Sequence, residues 1–140
     1  VDPNYVMGLH TLALSEFGLG NLEESLKLAN QGLSKFPNYS QYMVAKMMAL
    51  NRLGRLAEAE LIRDALFKRQ ETDLVPSMTL ARAEYYVGNM DEAVIKLEQA
   101  YEDRNIQLFP FDPRQLFDKL NGNQRFDAIW EKVGLSEFVE

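Results

Sequence analysis

The sequence predicts an all-α chain of three helical hairpins in series, closed by a short helical cap. Three observations predict it. Gly20, Gly54 and Gly88 stand 34 residues apart, each opens a similar phrase, and apolar residues on both sides of each glycine recur at helical spacing. The phrases are Gly20-Asn21-Leu22-Glu23-Glu24-Ser25, Gly54-Arg55-Leu56-Ala57-Glu58-Ala59 and Gly88-Asn89-Met90-Asp91-Glu92-Ala93. Thirteen residues after each glycine comes a large side chain, Leu33, Phe67 or Tyr101, and seven before it comes Ala13, Met47 or Ala81. The triplet Pro3-Asn4-Tyr5 returns one period later as Pro37-Asn38-Tyr39. The chain therefore opens on a repeat seam, and the expectation is a piece of a longer array.

A glycine between two amphipathic stretches ends one helix, and acidic residues just after it favour the start of the next. The spacing predicts a first helix of each pair at about 4–18, 39–52 and 75–87, and a second at about 22–35, 56–70 and 91–104. Leu9, Leu12, Ala13 and Phe17 mark the apolar face of the first helix, and Ala93, Leu97, Ala100 and Tyr101 that of the last. Ser25, Ala59 and Ala93 are small because the two helices of each hairpin cross closely there. The repeats are expected at about 6–39, 40–73 and 74–105, filling residues 1–105, with the cap in 106–140.

Beyond Asn105 the period stops. Two prolines make Leu108-Phe109-Pro110-Phe111-Asp112-Pro113 extended, and Asp112 with Pro113 predicts a short helix running to about Leu120. Asn121-Gly122-Asn123 is a turn. A final helix carries Phe126, Ile129, Trp130 and Val133 on one face and stops at Gly134.

Composition narrows the chemistry. With 140 residues, 46% hydrophobic and 26% charged, the chain has the make-up of one ordinary globular domain. A net charge of −6 argues against the basic face that nucleic acid or an anionic membrane requires, so neither is expected as a partner of this segment. No run approaches the roughly 20 apolar residues of a membrane-spanning helix. There is no cysteine and only one histidine, His10, so the common metal sites and nucleophile–base pairs lack their parts. No metal, cofactor or catalytic residue is expected, and the protein is not expected to be an enzyme. Gly18-Leu19-Gly20 lacks the third glycine of a dinucleotide loop, and Glu23, Glu24, Asp91 and Glu92 are explained by the helix dipole. The absence of cysteine leaves the compartment open, with a slight preference for the cytoplasm.

The 34-residue phrase with paired glycine and small residue resembles the tetratricopeptide repeat. Departures exist: where that family has Tyr four residues before the glycine, this chain has Glu16, Leu50 and Glu84, and Lys46 and Arg63 occupy places the family keeps apolar. The closing proline survives as Pro37, with Pro3 standing for a preceding unit. The resemblance implies a right-handed α-solenoid whose first helices line a concave groove that binds protein. Carried over by position, the groove residues are Met7, His10, Leu14, Phe17 and Gly18, then Gln41, Val44, Met48, Asn51 and Arg52, then Val75, Met78, Arg82, Tyr85 and Tyr86.

That set holds methionines, aromatics and two arginines but no acid, which suits a peptide or helix with apolar anchors and one acidic group. Packing between neighbouring helices explains Leu14, Val44 and Val75 equally well, whereas Arg82, Tyr85 and Tyr86 are expected to meet a partner. The places that clamp chaperone C-termini in the family hold His10, Leu14, Ala45, Val75 and Thr79, so no such clamp is expected. The tail, with Phe111-Asp112-Pro113, Gln124-Arg125-Phe126 and Val133-Gly134-Leu135, is similar to the cap of bacterial tetratricopeptide segments appended to cyclases, kinases or transcription activators. The function expected is a non-enzymatic protein-binding scaffold module of a larger protein. The alternative is a sensory or regulatory segment of a bacterial signalling protein that packs on its own chain or self-associates as a homodimer.

Overall fold

The computed structural model describes residues 3–104 and 113–134. Every regular element among the described residues is helical. The order is α1 (Pro3–Gly18), α2 (Leu22–Lys35), α3 (Ser40–Arg52), α4 (Leu56–Arg69), α5 (Ser77–Tyr86), α6 (Met90–Glu102), α7 (Pro113–Leu116), a 3-10 turn (Asp118–Leu120) and α8 (Gln124–Val133). The six helices of the three hairpins start and stop within two residues of the sequence expectation. Residues 108–112, including the expected N-cap Asp112, lie outside the described residues, as does Leu135.

The three period-defining glycines do the same thing. Gly20, Gly54 and Gly88 have φ of +83°, +75° and +88°, a conformation that only glycine adopts without steric cost. Each glycine N–H donates three residues back, to Phe17, Asn51 or Tyr85. The next residue donates five back, with Asn21 to Glu16, Arg55 to Leu50 and Asn89 to Glu84, each at 2.9 Å. These paired bonds satisfy the last carbonyls of α1, α3 and α5 and reverse the chain. The next helix begins at once, with Glu23 and Glu24, Glu58, or Asp91 and Glu92 in its first turn.

The Glu residues that depart from the repeat pattern belong to this turn. Asn21 Nδ2 donates to Glu16 at 2.7 Å, and Asn89 Nδ2 to Glu84 at 2.6 Å. In the middle hairpin the same two places hold Leu50 and Arg55, and Arg55 forks onto Glu58 instead, which lowers that carboxyl's pKa. The pair changes together because the side chain after the glycine faces the one four residues before it.

Contacts divide the chain into two compact units, Val1–Val75 and Pro76–Glu140. In the first, α1 packs on α2, α2 on α3, α3 on α4, and α1 also meets α3. Its core gathers Leu9, Ala13, Leu28 and Tyr42, with Val6, Leu33, Phe36 and Tyr39 packed against it. Ser25 is buried and its hydroxyl donates to the Ala13 carbonyl at 2.8 Å, so the small residue does mark the α1–α2 crossing. The Tyr42 ring lies directly on Gly32 of α2, and its hydroxyl donates to the Val6 carbonyl at 2.5 Å. Arg69 at the end of α4 donates to the Pro37 carbonyl at 2.8 Å, tying that helix to the seam between the hairpins. Only Ala59 and Leu66 of α4 are buried, and Arg63, at a place where an apolar residue was expected, stacks its guanidinium over Phe67 at 4.2 Å.

In the second unit α5 packs on α6, and α6 on α8. Ser77 at the start of α5 donates to Asp103 just beyond α6 at 2.8 Å. Asn123 caps α8 by accepting from the Arg125 and Phe126 N–H groups, and Gly134 ends that helix at φ +79°. Phe126, Ile129 and Trp130 are buried, as the helical spacing predicts. The rings of Phe117, Phe126 and Trp130 meet edge to face, at 6.3 and 5.6 Å between centroids. On the surface Arg125 forks onto Glu98, joining α8 to α6.

Candidate functional site

In the first unit, the face shared by α1 and α3 brings together sequence-predicted residues that are far apart in the chain. Met7 and Arg52 are exposed, while His10, Leu14, Phe17, Gln41 and Asn51 are partly exposed. The Arg52 guanidinium lies over the Phe17 ring at 5.1 Å, a cation–π contact that holds a long cationic side chain in place without a carboxylate. Val44 and Met48 are buried at 0% and 4% relative exposure and serve packing. Gly18 is exposed at the end of α1.

His10 stands among aromatic rings, edge to face with Tyr39 at 6.0 Å and with Tyr42 at 5.7 Å. The Tyr39 hydroxyl donates to the Met7 sulfur at 3.3 Å. Burial pushes the Tyr39 phenol above its usual range; for Tyr42 burial does the same, assisted by the neighbouring Tyr39 phenol. Beside this cluster Val6, Met7, Lys35, Phe36, Pro37, Asn38 and Tyr39 line an open, mostly apolar cleft of about 590 Å³. Of these residues, sequence reasoning named only Met7 as a groove residue. The recurring triplet Pro37-Asn38-Tyr39 was the available signal, because a seam between hairpins is where a loop and two helix ends converge.

In the second unit the predicted residues lie inside. Met78, Arg82, Tyr85 and Tyr86 are all less than 9% exposed. The expectation that Tyr85 meets a partner is corrected: its hydroxyl donates to the Asp118 carboxylate, and its ring packs edge to face on Phe117 at 5.2 Å. Its partners are the chain's own closing residues. Tyr86 meets Tyr85 at 5.1 Å and hydrogen-bonds with Arg82. Burial lowers the Arg82 pKa, and Tyr86 partly offsets this by supporting the charged guanidinium. Val75, the last residue of the first unit, is buried as well.

Compared with known families, curated proteins and solved structures, the chain matches none. Among the described residues no three His, Cys, Asp or Glu side chains come together as a metal site would require. No described helix is long and apolar enough to cross a membrane. What the α1–α3 face offers is adaptable apolar surface, a methionine and aromatic rings beside one positioned cation.

Proposed function

We propose that the chain is a tetratricopeptide-like, non-enzymatic binding module. Its α1–α3 face takes a short peptide or helix with apolar anchors and one acidic group. The observation that carries this reading is Arg52 held over Phe17 next to Leu14, His10 and Met7, with no carboxylate among the groove residues of this face. A guanidinium kept in place by a ring loses little freedom on meeting a carboxylate, and its planar fork suits two parallel hydrogen bonds. Met7 and the partly exposed rings supply apolar contact that adapts to different side chains.

Selection of displayed random peptides against the 140-residue chain tests the reading. Enriched peptides should combine apolar residues with an acid. They should lose at least tenfold in affinity for a Phe17→Ala, Arg52→Ala double variant while keeping affinity for Leu61→Ala, a substitution on the exposed surface of α4. Peptides that bind the double variant unchanged would remove this face from consideration.

A further inference from the structure

Asn121 is the only asparagine of the sequence that precedes a glycine. The pair joins the 3-10 turn to α8, and both residues are exposed. An asparagine in that position can modify itself without an enzyme. The Gly122 nitrogen attacks the Asn121 side-chain carbon Cγ. The N–Cγ bond forms, the Cγ–Nδ2 bond breaks, and Nδ2 leaves as ammonia with the amide proton. Water then opens the five-membered imide at one of its two carbonyls, giving aspartate, or isoaspartate in which the main chain runs through Cβ. Glycine favours the attack because it has no Cβ to obstruct its nitrogen.

The folded turn opposes this reaction. Asn121 at φ −57° and ψ 130° and Gly122 at φ +87° are the central residues of a type II turn, closed by the Asn123 N–H donating to the Leu120 carbonyl at 2.9 Å. Ring closure needs the Cα–Cβ bond of Asn121 to eclipse its C–N bond when viewed along Cα–C. At the observed ψ the two stand roughly 110° apart, because the substituents of a tetrahedral Cα are set about 120° from one another. The Gly122 N–H also donates to the Asp127 carboxylate at 3.4 Å, which keeps the attacking nitrogen protonated and turned toward α8. Both restraints depend on α8: Asn123, which closes the turn, is also the N-cap of that helix, and Asp127 lies in its first turn.

We propose that Asn121 is a self-modification site gated by α8, silent while the helix is docked and converted to isoaspartate when this end of the chain opens. The conversion runs one way. Isoaspartate inserts a backbone atom and a negative charge just before the cap, so the Leu120–Asn123 bond and the Asn123 cap lose their register. The helix then cannot seat Phe126 against Phe117 and Trp130 as before. A passing opening of α8 is thereby made permanent. The proposal concerns the second unit alone and does not depend on the face assigned to peptide binding above.

The test incubates the 140-residue chain and a synthetic peptide, Asp118–Arg125, at the same pH and temperature. Trypsin releases Leu120–Arg125 from both, and chromatography with mass detection separates its asparagine, aspartate and isoaspartate forms. The peptide should deamidate at least tenfold faster than the chain. Urea below the unfolding transition should accelerate the chain and leave the peptide rate unchanged. The chain converted to isoaspartate at Asn121, purified by ion exchange, should exchange its α8 amide hydrogens at least tenfold faster than the parent. Asn121→Asp, which adds the same charge on a normal main chain, should exchange them at the parent rate. Equal rates in chain and peptide, or a chain indifferent to urea, would overturn the gating by α8. A peptide that does not deamidate would remove the site itself. Unchanged α8 exchange in the isoaspartate form would overturn its effect on docking.

Discussion

The ring of Tyr42 sits where a side chain on Gly32 would be: the nearest ring carbon is 2.2 Å from the position of a Cβ. Tyr42 is fully buried, stacks on Phe36 at 6.2 Å and is anchored through its hydroxyl, so it has no room to yield. Gly32→Ala should therefore destabilise the first unit by about 1–3 kcal/mol through overpacking, against a gain of only ~1 kcal/mol from better helix propensity. Urea denaturation checks the sign. A Gly32→Ala protein as stable as the parent would mean that the α2–α3 contact is looser than described.

Two other glycines separate conformation from crowding. Neither Gly54 nor Gly8 would meet any atom within 4 Å on gaining a Cβ, but Gly54 is held at φ +75° and Gly8 lies within a helix. Gly54→Ala should cost roughly 1–2 kcal/mol for the left-handed backbone, whereas Gly8→Ala should gain up to ~1 kcal/mol. Thermal unfolding of the two variants should move in opposite directions, and a common direction would refute the assignment of these two positions.

The Glu–Asn pairs of the first and third turns differ in burial. Glu84 is 1% exposed, while the Glu16 pair lies at the surface. Replacing Glu84 by Ala empties a buried place and breaks its hydrogen bond with Asn89, at a cost of about 1–3 kcal/mol. Transplanting the middle hairpin's residues into the first turn, as Glu16→Leu with Asn21→Arg, should stay within about 0.5 kcal/mol of the parent. Chemical denaturation that ranked the two changes the other way would contradict the burial described.

Alkali should unfold the chain. The phenols of Tyr39, Tyr42 and Tyr85 all lie above the usual value of 10.0; for each, burial is the first cause, and for Tyr85 the Asp118 carboxylate adds to it. The folded chain thus holds protons that the unfolded chain releases. The resulting stability is intact below about pH 10 and is lost as pH climbs through the raised folded values. Tyrosinate absorbance and helical ellipticity followed together should change in one cooperative step above pH 10. Ordinary titration of these three phenols before unfolding would contradict their burial.

The helix ends were legible because a glycine forced into φ > 0 leaves a mark that no tertiary partner can override. The same holds for the last helix, whose cap Asn123, apolar face and terminating Gly134 all lie within one short segment. The aromatic cleft at Pro37 and Tyr39 was legible only as a repeated triplet, and its ring geometry was not. Tyr85 shows the limit: as a large side chain on a predicted binding helix it read as a contact for a partner. Its actual neighbours, Phe117 and Asp118, lie more than thirty residues further on.

By itself the sequence determined the all-helical class, the 34-residue period, the three glycine turns and the buried small residues Ser25, Ala59 and Ala93, because these depend on interactions along one helix or across one turn. Leu12, expected on the apolar face of the first helix, is instead exposed. The tertiary structure alone decided which side chains of the first helices remain accessible. Periodicity orients a side chain toward a face, but whether that face is covered depends on what distant segments bring to it. Phe117 and Asp118 cover Tyr85, α2 covers Tyr42, and no described residue covers Leu12 to the same extent.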